Sequence, residues 1–403
     1  MRQPTLFDGS KRLVYDEAVQ LTLQSMQAYG SQHDHWVFAF SGGKDSTATL
    51  TVIIHLIDAG RLQAPKTITV LYADTRMELP PLAIAAARLL DRLRARGIYC
   101  EVVCAPMDQR FLVYMIGRGV PPPNNNTFRW CTRQIKVDPM TAALQRRIDE
   151  LDGSVLMITG VRQGESAIRD GRIAMSCGKD GAECGQGWYQ QVVPEAKGIR
   201  GRIATLAPIL HWRVCNVFDW LKVYARMKEY GAWETSAVVD AYGGDEAQEI
   251  NARTGCNGCP LAAKDLGLST VIRVPSWSYI SPLLGLKPLY RELREPRHRL
   301  KKTGLDSNGD IATAKNKQRM GPLTFDARLM ALDRVLSIQA EVNEAARTLG
   351  RPEIDILNAE EEARIRELIA LKTWPNGWDG DEPTADTPMD QIFGDGSIQP
   401  LLM

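Results

Sequence analysis

No stretch of this 403-residue chain is long and apolar enough to span a membrane, and Met1 to Asp8 holds no apolar core of signal-peptide length. The expected compartment is therefore the cytoplasm, with no membrane partner. An excess of one charge is missing as well: 49 Lys and Arg against 48 Asp and Glu leave a formal net charge of +1. Contact with nucleic acid must then rest on local basic patches, not on a global field. Eight Cys in an intracellular-looking chain of this size argue against a disulfide framework, which leaves metal ligands or catalytic thiols. No internal repeat is evident. A composition 44% apolar and 24% charged is ordinary for a globular protein, with one large domain plus additions, or two domains.

Chemistry concentrates in Phe38-Ala39-Phe40-Ser41-Gly42-Gly43-Lys44-Asp45-Ser46-Thr47. The aromatic run Trp36 to Phe40 reads as a buried strand that stops at a Gly pair. Leu50, Ile53, Ile54 and Ile57 then recur at helical spacing up to Gly60. A Gly-rich turn thus feeds a helix N-terminus, where free N–H groups and the helix dipole favour an anion such as phosphate. Gly42 and Gly43 admit close backbone approach, Lys44 adds a point charge, and the Ser41 and Ser46 hydroxyls are donors. The spacing of a Walker A loop is absent. A ligand-free strand–helix turn is the plain alternative.

Further strands are expected at Thr67–Ala73, Ile98–Cys104 and Val155–Thr159, with helices at 79–97 and from about 139 to 148. This alternation from 36 to 170 implies an α/β fold with a doubly wound parallel sheet. Asp74-Thr75 falls at a strand's C-terminal edge, where such sheets hold ligands, although a helix N-cap pair is equally compatible. Arg129, Arg133 and Lys136 surround Cys131, a setting expected to favour its thiolate. Gly160 to Ser166 lies at the next strand's C-terminal end, with Arg162 in it. Residues 171–203, which include Cys177 and Cys184, read as a long irregular stretch. The basic run 287–302 is either a nucleic-acid contact or a solvated helical face. The expected organisation is a helical segment at 1–35, a nucleotide domain at 36–215, a mostly helical region at 216–375 and a mobile tail at 376–403.

Cys256-x-x-Cys259, eased by Gly255 and Gly258, is a usual half-site for zinc or an iron–sulfur cluster. Taken with Ser41-Gly42-Gly43-Lys44-Asp45-Ser46, it carries a resemblance. The chain resembles the phosphoadenosine-phosphosulfate reductase branch of the PP-loop enzymes, which split ATP between its α and β phosphates. Within that branch it looks most like the ATP pyrophosphatase of bacterial DNA phosphorothioation systems of the Dnd or Ssp type. The matching residues are Ser41 to Ser46, Asp74-Thr75, Trp130-Cys131 with Lys136 and Pro139, and Gly160-x-Arg162-x-x-Glu165-Ser166-x-x-Arg169. Pro208-Ile209 through Trp212 to Trp220, Gly255-Cys256-x-x-Cys259 and Arg319-x-Gly321-Pro322-Leu323 extend the likeness to roughly 36–340.

The resemblance implies ATP and Mg²⁺ at Ser41, Gly42, Gly43, Lys44, Asp45, Ser46, Asp74, Gly160 and Arg162, with Lys44, Asp45, Arg162 and Cys131 in the chemistry. It implies a [4Fe–4S] cluster on Cys131, Cys256 and Cys259, with Cys177 or Cys184 as an optional fourth ligand. DNA is the implied acceptor, a cysteine desulfurase the sulfur donor, and other phosphorothioation proteins the partners. A tRNA or nucleoside thiolase, a sulfonucleotide reductase and a non-catalytic zinc protein that binds nucleic acid remain alternatives. Two departures bear on the choice. No Cys follows Cys259, whereas sulfonucleotide reductases end in a Cys-bearing segment, and Trp130-Cys131 stands where cluster-bearing reductases use a tandem Cys-Cys.

Overall fold

The computed structural model describes residues 15–124, 128–164, 170–171, 187–190, 203–246 and 254–401. They fall into two compact units. The first contains residues up to 74, then 79–103 and 138–254; the second contains 75–78, 104–137 and 255–403. The division therefore departs from a cut at 215/216, because the 104–137 segment belongs with the C-terminal half.

The first unit is built on one sheet. Helix α1 (Tyr15–Tyr29) precedes β1 (His35–Phe40), α2 (Lys44–Asp58), β2 (Thr67–Ala73), α3 (Pro80–Ala95), β3 (Tyr99–Val103), α4 (Asp138–Glu150) and β4 (Val155–Ile158). Short strands β5 (Trp188–Gln190) and β6 (Ile203–Ala207) complete a six-stranded order β3-β2-β1-β4-β6-β5. All pairings are parallel except that of β5 with β6. Apolar, β-branched runs form the central strands because side chains on both faces are covered. On one face Val37, Leu71, Val103, Val155 and Ile203 pack against Ala143, Leu144 and Ile148 of α4. On the other, Phe40 meets Tyr72, and the Trp36 indole donates to the Gly30 carbonyl at the end of α1. The strand order reverses between β1 and β4, and the crevice at such a reversal is where open α/β sheets bind ligands. Beyond the sheet lie α5 (Val214–Lys222) and α6 (Ser236–Asp240).

The second unit is mostly helical, with α7 (Leu266–Val271), α8 (Leu286–Glu292), α9 (Phe325–Leu349) and α10 (Ala359–Ala370), and two-stranded pieces β7 (Arg299–Lys301) with β8 (Met320–Leu323). Residues 376–401 do not form a mobile tail. Lys302 pairs with Glu382, Ala385 N–H donates to the Arg299 carbonyl, and the Ile392 amide donates to Gln318. Strands β9 (Gln391–Ile392) and β10 (Ile398–Gln399) close a hairpin there. The Pro, Gly and Asp that suggested mobility instead supply the turns of a packed segment. Among the described residues no helix is long and apolar enough to cross a membrane.

Candidate active site

Strand β1 ends at Phe40, and the chain turns through Gly42 at φ +71°, a backbone conformation that glycine alone adopts cheaply. Gly43 is extended and caps α2 without a side-chain hydrogen bond, so the positive end of that helix lies at the loop. The loop is internally braced: Ser46 Oγ donates to the Gly43 carbonyl at 3.1 Å and lies 3.1 Å from Ser41 Oγ. Those hydroxyls, expected to face a ligand, are engaged in holding the turn's shape.

Charge is arranged around Asp45. Lys44 Nζ lies 3.0 Å from one carboxylate oxygen, and Arg162 Nε lies 2.5 Å from the other. Arg162 is only 4% exposed, and its Nη1 also donates to the Trp212 carbonyl at 3.1 Å. In this structure the guanidinium is buried and orients Asp45. Gly160 explains why the segment after β4 fits here. A Cβ on it would stand 2.7 Å from the Ser46 amide and 2.8 Å from the Asp45 carbonyl carbon. Its role in this structure is close backbone approach to the start of α2. Asp74 ends β2 in the first unit, its amide donating to Val103. The N-cap of α3 is Leu79, so Asp74-Thr75 is not a helix cap; Thr75 instead donates its hydroxyl to Glu78 at 2.7 Å.

Tyr242 had no signal in the sequence. Its Oη accepts from the Lys44 amide at 3.3 Å, and Lys44 Nζ lies 4.7 Å from its ring centroid. It stands 198 positions from the loop, outside any motif.

In the second unit Cys131, Cys256 and Cys259 come into one electrostatic neighbourhood. Cys256 donates to Cys259, and this bond, with burial and the nearby charges of Cys259, Glu78 and Cys131, pushes the Cys256 thiol well up. The same bond, helped by the Leu261 and Ala262 amides and by Lys287, draws Cys259 down to about 6. Cys131 is pushed up, first by burial and then by Cys259, while Arg129 opposes this only weakly. The expected thiolate at Cys131 is thereby corrected. Arg129, Arg133 and Lys136 are exposed, and water screens them more effectively than burial spares the thiol. The Cys256 loop is tied by Asn257 N–H to the Met77 carbonyl, and Gly258 adopts φ +63°.

The donor chemistry suits a cluster. Cys131 is buried and Cys256 and Cys259 are partly so, and thiols in one such neighbourhood would be stabilised as thiolates by a cationic iron centre. Among the described residues no three His, Cys, Asp or Glu side chains are arranged to hold a single metal ion. Cys177, Cys184, Glu165, Ser166 and Arg169 lie outside the described residues.

The basic run 287–302 largely holds this loop together. Lys287 donates to the carbonyls of Cys259 and Ala262, Arg291 to Ala263, and Arg294 to Pro123 and Pro260. Arg299 is buried against the Gly321 carbonyl. These cations are therefore not a free nucleic-acid surface. Trp130 is committed too: its indole donates to the Pro121 carbonyl and its ring packs on Phe111 and Tyr114.

Comparison with known proteins returns no match among curated proteins. Among solved structures, phosphoadenylyl-sulfate (PAPS) reductase from Candida auris, in a phosphate complex, is 12% identical with a TM-score of 0.32, covering 54% of this chain and 90% of that one. The U34-tRNA thiolase NcsA from Methanococcus maripaludis, with its [4Fe-4S] cluster, is 12% identical with a TM-score of 0.31, covering 69% of this chain and 78% of that one. The family model described as phosphoadenosine phosphosulfate reductase domain matches residues 35–225, a little under half of the chain, and that stretch contains the loop, Asp74, Gly160 and Arg162.

Proposed function

We propose that this protein is an ATP pyrophosphatase that activates an oxygen of a DNA backbone phosphate for replacement by sulfur. The observation that carries the ATP half is the Lys44–Asp45–Arg162 chain at the N-terminus of α2, set at the reversal point of the sheet. The positive end of the helix and an oriented ammonium at that place suit the departing pyrophosphate, whose charge grows as the α–β bond breaks. Arg162 holds Asp45, and Asp45 holds Lys44, so the ammonium meets its ligand already placed. Mg²⁺ enters with the nucleotide.

In the proposed reaction a non-bridging oxygen of the phosphodiester attacks the α-phosphorus of ATP. Pyrophosphate leaves, and AMP remains on the attacking oxygen as a leaving group. Sulfur carried as a persulfide from a cysteine desulfurase, and reduced by a thiol to the sulfide level, then forms the P–S bond, and AMP departs with that oxygen. Cys131, Cys256 and Cys259 would hold a [4Fe–4S] cluster, which when bound supplies a carrier for sulfur. Exposed Arg129, Arg133 and Lys136 next to Cys131 support a backbone acceptor, since such contacts position nucleic acid without reading its bases. The packing of Trp130 against Phe111 weakens the base-thiolase reading, which needs a free stacking platform.

The test has two arms. The purified protein with Mg-ATP should release AMP and pyrophosphate; ADP and phosphate instead would remove it from this enzyme class. Nuclease digestion of DNA from cells carrying the gene and its partners should yield phosphorothioate dinucleotides that vanish on deletion. Unchanged DNA together with loss of a tRNA thionucleoside would transfer the case to a tRNA thiolase.

A further inference from the structure

We infer that Tyr242 is a phosphate ligand of the loop: its phenol accepts the hydrogen bond of the Lys44 amide and donates its own to a phosphoryl oxygen of the bound nucleotide. The inference rests on the reading of the loop as a pyrophosphate cradle.

Tyr242 follows α6 and is buried. Its Oη accepts from the Lys44 amide at 3.3 Å and from Thr254 Oγ1 at 3.0 Å. Two accepted bonds occupy both lone pairs of the phenol oxygen, so its hydrogen points away from both donors. Among the described residues no acceptor takes that hydrogen. The oxygen lies directly over the loop: a Cβ on Gly43 would come within 3.2 Å of it. Glycine at 43 therefore makes room for the phenol as well as for a ligand. The ring is fixed by Phe218 at a centroid distance of 5.9 Å, and it carries the Lys44 ammonium on its face.

An anion at a helix N-terminus ordinarily takes the first amides directly. Here the first amide of α2 is already engaged by a neutral hydroxyl. That hydroxyl either blocks the amide or relays it. Thr254 favours relay, because its donation turns the phenol proton outward, and a chain of such bonds polarises each member. A relay serves the terminal phosphates and not the adenosine, so the ligand class is a pyrophosphate group.

Binding of pyrophosphate, Mg-ATP and AMP to the full chain, by calorimetry, tests this. Tyr242→Phe keeps the ring under Lys44 and removes only the hydroxyl. It should weaken pyrophosphate and ATP about tenfold, the size of one hydrogen bond to a charged group, and leave AMP and the melting temperature unchanged. Thr254→Val should weaken the same two ligands by a smaller factor. Unchanged pyrophosphate affinity in Tyr242→Phe, in a preparation whose parent cleaves ATP to AMP and pyrophosphate, would make the hydroxyl merely structural. Tighter binding would make it a block. A parent protein that binds neither ligand would overturn the loop reading itself, and this inference with it.

Discussion

At the scale of single residues, the structure shows Arg162 as a brace between Asp45 and the Trp212 carbonyl, a role measurably different from that of a clamp on a nucleotide phosphate. Removing a buried guanidinium that joins Asp45 to the Trp212 carbonyl strips the carbonyl of this donor and Asp45 of one of its two cations. Arg162→Ala should cost about 2–4 kcal/mol in urea unfolding and lose most ATP cleavage as well. A variant with parental stability and lost activity would restore the clamp. Lys44→Ala is expected to behave oppositely. Asp45 keeps Arg162, so the fold survives while the pyrophosphatase rate falls at least a hundredfold, read as AMP release. Lys44, Asp45 and the glycines were legible because they are contiguous and their chemistry is shared with phosphate loops generally. Tyr242 and Thr254 were not, because only tertiary packing brings them to the loop. Cys131 was misread for a related reason: neighbouring cations are visible in a sequence, whereas burial is not.

At the scale of elements, the central strands were legible to within a residue or two. Runs such as Thr67–Ala73 are β-branched and bounded by polar turns. Strands β5 and β6 were missed, being three and five residues long beside a Gly-rich stretch with no clear period. The meeting of β4's end with α2 gives a sharp test. Gly160→Ala would drive a methyl into backbone that helix hydrogen bonds hold in place, so the neighbour cannot yield cheaply. It should shift the start of α2 and abolish nucleotide binding, whereas Gly171→Ala, with nothing near it, should do neither. In the second unit α9 is anchored by Arg328, which is fully buried, has no carboxylate partner among the described residues and donates to the carbonyls of Ile116, Gly117, Leu368 and Thr373. Arg328→Met should cost about 3–5 kcal/mol, because four buried acceptors lose their donor, and the urea midpoint is the readout. Parental stability in that variant would mean that water satisfies them.

At the scale of the whole molecule, the two kinds of chemistry fall in different units. The loop, Asp74, Gly160, Arg162 and Tyr242 belong to the first, whereas Cys131, Cys256 and Cys259 all belong to the second. No linear boundary shows this, because 104–137 is interposed between sheet elements and yet packs with the C-terminal half. The separation has an experimental consequence. Protein purified without oxygen should be brown and carry about four iron and four acid-labile sulfide per chain. Cys256→Ser and Cys259→Ser should each lose that iron, since each removes one of three thiols that depend on a shared positive centre. Both should still release AMP and pyrophosphate from ATP, because the loop that carries Lys44 and Asp45 is built within the first unit. Lys44→Ala should give the mirror image, brown and inactive. Serine at Cys177 and Cys184 together decides the fourth iron: retained colour means it has no protein ligand from these two and stays open for sulfur, while bleaching means one of them closes the cluster and its role is structural. One equivalent of zinc in colourless protein, under the same anaerobic conditions, would reject the cluster altogether and leave the three thiols as a zinc site that tightens into shape only when metal binds.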